Sequence, residues 1–467
     1  MQEQRSRADR DSLRFATHAA GWAAAAVVAG LALAEAAAFA VRTVGGPTAS
    51  PGQTARAGGL LFQAFHGTPV RFDAVLRAIG PRVGGSVRVS LGAAPTLGTV
   101  VVVAILFLAG RRLAGEDGSG VRGCLRGAAV AVPYGVMCAI VALVSRLHVP
   151  APGTSRALIV GSIAVEAPIA WSFALGIAVA AVAGFVGGLT AAGQRALGAN
   201  DLGFGGGRVA SNADGPRQGH FGAAVWAGAV WIFIGLVASF AALLGLAIAD
   251  GRSRTAYFDG AFAHGTARGL ASLGLTLLWL PTLCAWVLQL SMGSCVATHA
   301  GCSISYWHVP GSIAELAGAQ PARPTHGPPG IYALFVLVPL VTSLAGGWLG
   351  AHRAGARRGA KSAFAGSRAG LVFGLLTVPV VLLARLWTSV EGPGATVVGG
   401  GRTLSLGPAV LLSASVGLLW GLAGGAAGGL LRSVGRRRST PPVRERVFPQ
   451  IEARVPDPTS ADDRSPD

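Results

Sequence analysis

Nine apolar segments dominate this chain, and only two side chains within them carry a formal charge, Glu35 and Arg385. They cover roughly 16–41, 89–110, 127–145, 167–191, 221–249, 270–292, 331–351, 369–386 and 407–431. Each is long enough, or nearly so, to cross a bilayer as a helix of about 20 residues. Apolar residues surround each segment instead of striping one face, as lipid-embedded helices require. Charged residues make up 12% of the 467, against about 25% in soluble domains. An ordinary soluble enzyme and a disordered chain are both excluded, which leaves an all-α polytopic membrane protein. Glycine, at 70 residues without a G-X-Y period, fits close helix approach in lipid.

Basic residues outnumber acidic ones 38 to 20, and all but Lys361 are arginine. The basic residues cluster beside apolar segments, as in loops held in the cytoplasm. With no recognition motif and no aromatic–basic interleaving, this argues against a nucleic-acid partner. Four regions are strongly basic: Arg5 to Arg14, Arg111 to Arg126, Arg353 to Arg368, and the tail from Arg432 to Arg446. All four are expected inside, at the plasma membrane, with both termini cytoplasmic. The first apolar run starts like a signal peptide but is too long for one, and is read as a retained helix.

Nine crossings cannot place both termini on one side. Segment 270–292 holds Pro281 near its middle. It is therefore expected to break there, enter and return on the outer face, leaving eight transmembrane helices.

Matching residues recur along the chain. Gly176, Ala180, Gly184 and Gly188 meet Gly417, Gly421, Gly425 and Gly429 at a constant offset of 241. Arg112 meets Arg353 at that offset, Arg146-Leu147 meets Arg385-Leu386 at 239, and Ala19–Ala23 meets Ala223–Ala227. Thr54–Arg56 meets Thr266–Arg268. This predicts two parallel four-helix repeats, 15–192 and 221–431, related by an axis along the membrane normal. In the first repeat, 57–82 takes the place of 270–292 and is expected to be interfacial or partly inserted. Residues 1–14 form a cytoplasmic basic N-terminus. Residues 193–220 form a Gly-rich cytoplasmic linker, and 432–467 a disordered cytoplasmic tail.

The segment Gly59-Leu-Leu-Phe-Gln-Ala-Phe-His66-Gly-Thr-Pro-Val-Arg-Phe72 and the following Pro95 helix resemble the streptophobe family of very hydrophobic actinobacterial membrane proteins. More loosely, the same segment is similar to that of PerM-type cell-division membrane proteins. The first resemblance covers most of 15–431 and implies no enzymatic site, so no functional residue is carried over. The second implies a link to envelope growth or division.

Glu35 is the one acidic residue in the nine segments, and an intramembrane carboxylate is costly. It is either a proton- or cation-handling group or a structural partner of Arg146 or Arg385. Arg146 with Glu166, and Arg385 with Glu391, are candidate ion pairs near the outer face. Gly176, Gly184 and Gly188, with Gly417, Gly421, Gly425 and Gly429, form small-residue faces. These faces are expected to pack the two halves together or to pair two copies. Cys295 and Cys302 share a polar outer loop with His299 and His308; a disulfide, free thiols and a metal site stay open. No metal or cofactor motif and no nucleophile motif appears. The expected function is a non-enzymatic scaffold or regulator in envelope homeostasis, with the lipid bilayer and membrane-protein partners. The alternative is a transporter or channel for a hydrophobic or lipid-like substrate between the repeats.

Overall fold

A computed structural model describes residues 2–45, 50–77, 84–114, 120–150, 159–201, 217–249, 262, 265–298, 301–305, 335–356, 359–391 and 403–439. The described chain is mostly helical. The helices are α1 (Gln2–Val44), α2 (Pro51–Ala64), α3 (Thr96–Leu113), α4 (Gly120–Ala128), α5 (Ala131–Val144) and α6 (Ile169–Asp201). They continue with α7 (Arg217–Ala249), α8 (Thr266–Ser291), α9 (Leu337–Arg353), α10 (Gly359–Leu383) and α11 (Val410–Ser439). Among the described residues, eight helical stretches are long and apolar enough to cross a membrane: α1 from Asp11, α3, α4–α5 from Val121, α6, α7, α8, α10 and α11. At 17 residues, α9 is slightly shorter than these.

The helices are accompanied by eight strands that the all-α expectation did not contain. They are β1 (Val70–Arg77), β2 (Gly84–Gly92), β3 (Leu147–Pro150), β4 (Ile159–Glu166), β5 (Cys295–Thr298), β6 (Gly301–Ser305), β7 (Leu386–Glu391) and β8 (Thr403–Pro408). They pair as four antiparallel hairpins in one sheet of order β3-β4-β1-β2-β7-β8-β5-β6. The β2–β7 pairing, from Arg88↔Glu391 to Gly92↔Trp387, joins strands of the two halves. A period-2 pattern runs through Ser86-Val-Arg-Val-Ser-Leu91, and Val87 and Val89 are covered while Ser86 and Arg88 are exposed; the order inverts at buried Ser90 and exposed Leu91. Val70, Phe72, Ile163 and Val165 pack on Leu60, Ala142 and Ala167, while Arg71, Asp73 and Glu166 occupy the alternate positions.

One element order occurs twice: helix, helix, hairpin, helix, helix, hairpin, helix. It runs from α1 to α6, with α4–α5 as one helix, and again from α7 to α11. All four hairpins lie at one end of the bundle. The Arg353 guanidinium, at the C-terminus of α9, sits 4.0 Å over the Trp226 ring near the start of α7. That contact marks the opposite, basic end.

Two expectations for helices need correction. α8 does not break at Pro281; it runs unbroken for 26 residues. Proline removes one backbone donor, a loss that membrane helices tolerate when neighbours re-satisfy the freed carbonyl. Helix α10 likewise contains Pro379. The linker 193–220 is helical at both ends, because α6 reaches Asp201 and α7 begins at Arg217; 202–216 lies outside the described residues. Helix α11 carries the tail's first residues to Ser439, and 440–467 lies outside the described residues.

Candidate functional site

Helix α2 starts with a capping box: Gln53 N–H donates to Ser50 Oγ at 3.3 Å and Ser50 N–H to Gln53 Oε1 at 2.8 Å. From there it descends along α5. Gly59 packs on Ser145 just past the sheet end of α5. Deeper, Gln63 Nε2 donates to Cys138 O at 2.8 Å, and His66 meets the Tyr134 hydroxyl. Gly59 and His66 lie seven residues apart, so α2 descends about 10 Å along α5 at 1.5 Å per residue. The chain then turns back through Gly67, whose φ of +75° suits glycine, into β1. The segment 57–82, expected to be interfacial or partly inserted, is the end of α2, a tight turn and β1 as far as Arg77; 78–82 lies outside the described residues.

Helix α8 ends in the same way. Ser294 N–H donates to Gln289 O, as Thr68 N–H does to Gln63 O, and Gly293 has φ +97°. Trp286 Nε1 donates to Ala384 O at 2.8 Å, and Trp420 Nε1 to Met292 O at 3.0 Å. The Ser294 and Ser413 hydroxyls bond at 2.8 Å, and Ala409 N–H donates to Cys295 O at 2.9 Å. The C-terminus of α8 thus sits at the sheet end. The two turns correspond at an offset of 226, not the 212 given by Thr54 and Thr266; α8 is α2 with extra N-terminal turns.

Glu35 is half-buried and its carboxylate lies directly on Gly58 of α2. The expected arginine partners are engaged elsewhere. Arg146 Nε is 3.4 Å from Glu166 Oε2, the predicted pair. Arg385 donates to Ser405 Oγ at 3.1 Å, so the expected Arg385–Glu391 pair is absent among the described residues. Instead, Glu391 lies opposite Arg88 across the β2–β7 ladder. Arg88 Nε bonds Asp73 Oδ1 at 2.7 Å, and this contact raises the guanidinium above its ordinary pKa. Strand twist and register select these partners, and sequence proximity at the ends of a short loop does not reveal them.

His66 is buried. Its Nδ1 lies 3.0 Å from Phe62 O and its Nε2 on the Tyr134 hydroxyl, which assigns the proton to Nδ1 and makes Tyr134 the donor to Nε2. Cys138, one turn along α5, is also fully buried. Gln63 Oε1, Thr68 Oγ1 and Ser172 Oγ in the first half, and Ser239 Oγ, Trp231 Nε1 and Gln289 Oε1 in the second, are buried without a hydrogen-bond partner among the described residues. Gln63, His66 and Tyr134 are not among the candidate site residues of the sequence; the repeated Gln-x₃-Gly spacing at Gln63–Gly67 and Gln289–Gly293 is the available signal.

The glycine faces do not join the halves. Gly184 packs on the backbone of Gly110 and Gly127, and Gly188 on that of Gly123, all within the first half. Gly425 packs on Gly347 and Gly366, Gly429 on Ser362, and Gly421 on Gly370, all within the second. Gly176 meets Cys138 and Gly417 meets Thr377, again within their halves. These faces are covered by α3 to α5 and by α9 to α10, so they are not available to pair two copies. The physical reason is local: antiparallel helices joined by one hairpin or one short loop bring their small residues together first.

Cys295 and Cys302 form a disulfide with Cα atoms 5.7 Å apart, bridging β5 to β6. His299 and His308 lie outside the described residues. Among the described residues no three His, Cys, Asp or Glu side chains gather as metal ligands do. No family model, curated protein or solved structure matches the chain.

Proposed function

We propose that this is a plasma-membrane scaffold or regulator, non-enzymatic, that presents its sheet on the outer face to a partner in envelope homeostasis. The observation that carries the reading is the sheet itself. Four separate loops could have stayed independent, yet their hairpins hydrogen-bond into one surface at the end opposite the basic loops. In this reading the chain crosses eight times, by α1, α3, α4–α5, α6, α7, α9, α10 and α11. Helices α2 and α8 are read as outer-face elements that do not cross, α8 as one unbroken helix with both ends on that side, which keeps both basic termini inside.

The crossings form two parallel repeats. The recurring element order supports this, as do the matched glycine contacts: Gly187 faces Phe107 O where Gly428 faces Leu344 O, and Gly135 faces Ile177 where Gly374 faces Leu418. The resemblance to streptophobe and PerM-type proteins fits an envelope role.

A second reading is transport of a hydrophobic or lipid-like substrate between the repeats. Its support is the pair of helices, α2 and α8, whose last turns bury Gln63 and Gln289 side-chain oxygens that have no partner among the described residues. Photo-crosslinking in cells from Arg88 and Leu404, with Leu419 on the helix surface as control, separates the two. A scaffold captures one envelope protein from the sheet positions and not from Leu419. It is also inert when purified protein in vesicles is assayed for movement of fluorescent lipid between leaflets. Lipid movement without capture would overturn it.

A further inference from the structure

The titratable groups buried or half-buried beside α2 are confined to the first half. Under the offsets fixed by Trp22/Trp226, Gly67/Gly293 and Gly127/Gly366, Glu35 corresponds to Ser239, His66 to Met292, Tyr134 to Phe373 and Cys138 to Thr377. Four protonatable positions on three helices thus have four partners without an acid or base in the membrane range. At these four positions the ionisable groups belong to the first half; in the second half buried Cys284 on α8 stands where α2 has Gly58.

Glu35 is the half-buried member of that group, whereas His66, Tyr134 and Cys138 are buried. A carboxylate at this depth is costly unless paired, water-filled or protonated. Among the described residues no partner is offered. The helices packed on α1 are α2, α3, α5 and α8. Their titratable or charged groups are Arg56 and His66, Arg111 and Arg112, Tyr134 and Cys138, and Arg268 and Cys284. None of them makes a described ion pair or hydrogen bond with Glu35, and Arg146 and Arg385 are engaged elsewhere. The carboxyl instead occupies the space over Gly58, where any side chain on α2 would displace it. Glu35 lies nine residues before the end of α1, about 13 Å along the helix from the sheet end.

We propose that Glu35 is a proton-binding site at the α1–α2 seam, held as the neutral acid and exchanging its proton from the outer side. The ligand is the proton, and no other cation is needed to neutralise the group. Gly58 makes room for it, and the His66–Tyr134 bond fixes the depth of α2 against α5.

The test is reaction of the full-length protein in vesicles with dicyclohexylcarbodiimide, an apolar reagent that captures protonated carboxyls in lipid. A water-soluble carbodiimide is run alongside, and adducts are located by peptide mass spectrometry. The proposal expects an apolar-reagent adduct at Glu35, absent in Glu35→Gln, with labelling that falls about tenfold per pH unit above the midpoint of its titration. The soluble reagent should label Glu166 or Glu391 and not Glu35; its adducts there show that the reagent is active and that accessible carboxylates react. Gly58→Ala should shift the midpoint or reduce the labelling at Glu35. No adduct at Glu35, labelling that does not change between about pH 5 and pH 9, or equal labelling by the soluble reagent would each overturn the proposal.

Discussion

Replacing Gly425 by alanine tests whether the glycine seams hold each half together. A Cβ at this position would stand 2.5 Å from Gly366 O and 2.9 Å from Gly366 C, where ordinary contact begins at 3.4 Å. Both atoms are backbone, so no side chain can swing aside and α10 and α11 must part by roughly an ångström. Overpacking of this kind costs about 1–3 kcal/mol. Alanine also gains up to about 1 kcal/mol of helix propensity, which masks part of the cost. Gly274→Ala in α8 corrects for that gain, since nothing lies within 4 Å of its Cβ. The difference between the two variants is then the seam alone. Gly184→Ala should behave like Gly425→Ala, because its Cβ meets the Gly127 carbonyl in the same way. In detergent, size-exclusion after heating should show Gly425→Ala and Gly184→Ala losing monodispersity a few degrees below Gly274→Ala. If all three melt together, the seams are not where the halves derive their cohesion.

Tyr134→Phe should cost about 1–3 kcal/mol by leaving buried His66 Nε2 unpaired. The double variant Tyr134→Phe with His66→Met, the residues found at Phe373 and Met292, should recover much of that loss in the same heating assay. Cys302→Ser removes the β5–β6 link and should cost about 2–3 kcal/mol, read as earlier proteolysis of that hairpin under non-reducing conditions. Arg146→Ala should change stability by less than about 1 kcal/mol, since Arg146 and Glu166 are both solvent-accessible.

The membrane class, the apolar segments and the candidate duplication were legible in the sequence, because lipid enforces continuous apolar runs and repeated small residues at fixed offsets. The sheet was not. Strands such as Leu147–Pro150 and Cys295–Thr298 have four residues each, too few to show alternation, and their stability comes from pairing with distant partners. Pro281 misled for a related reason: a proline predicts a break only where nothing else satisfies the freed carbonyl. Glu35 was identified as unusual from composition alone, but Gly58 as its neighbour required the path of α2, which bends back only at Gly67.

The central claim is that the sheet lies outside and that α8 begins and ends on that side. Single cysteines at Arg268, near the start of α8, and at Ser405, in β8, should react with a membrane-impermeant maleimide in intact cells, whereas one at Ala354, after α9, should react only once the membrane is opened. Labelling of Ser405→Cys together with protection of Arg268→Cys would make α8 a true crossing and contradict the eight-crossing account.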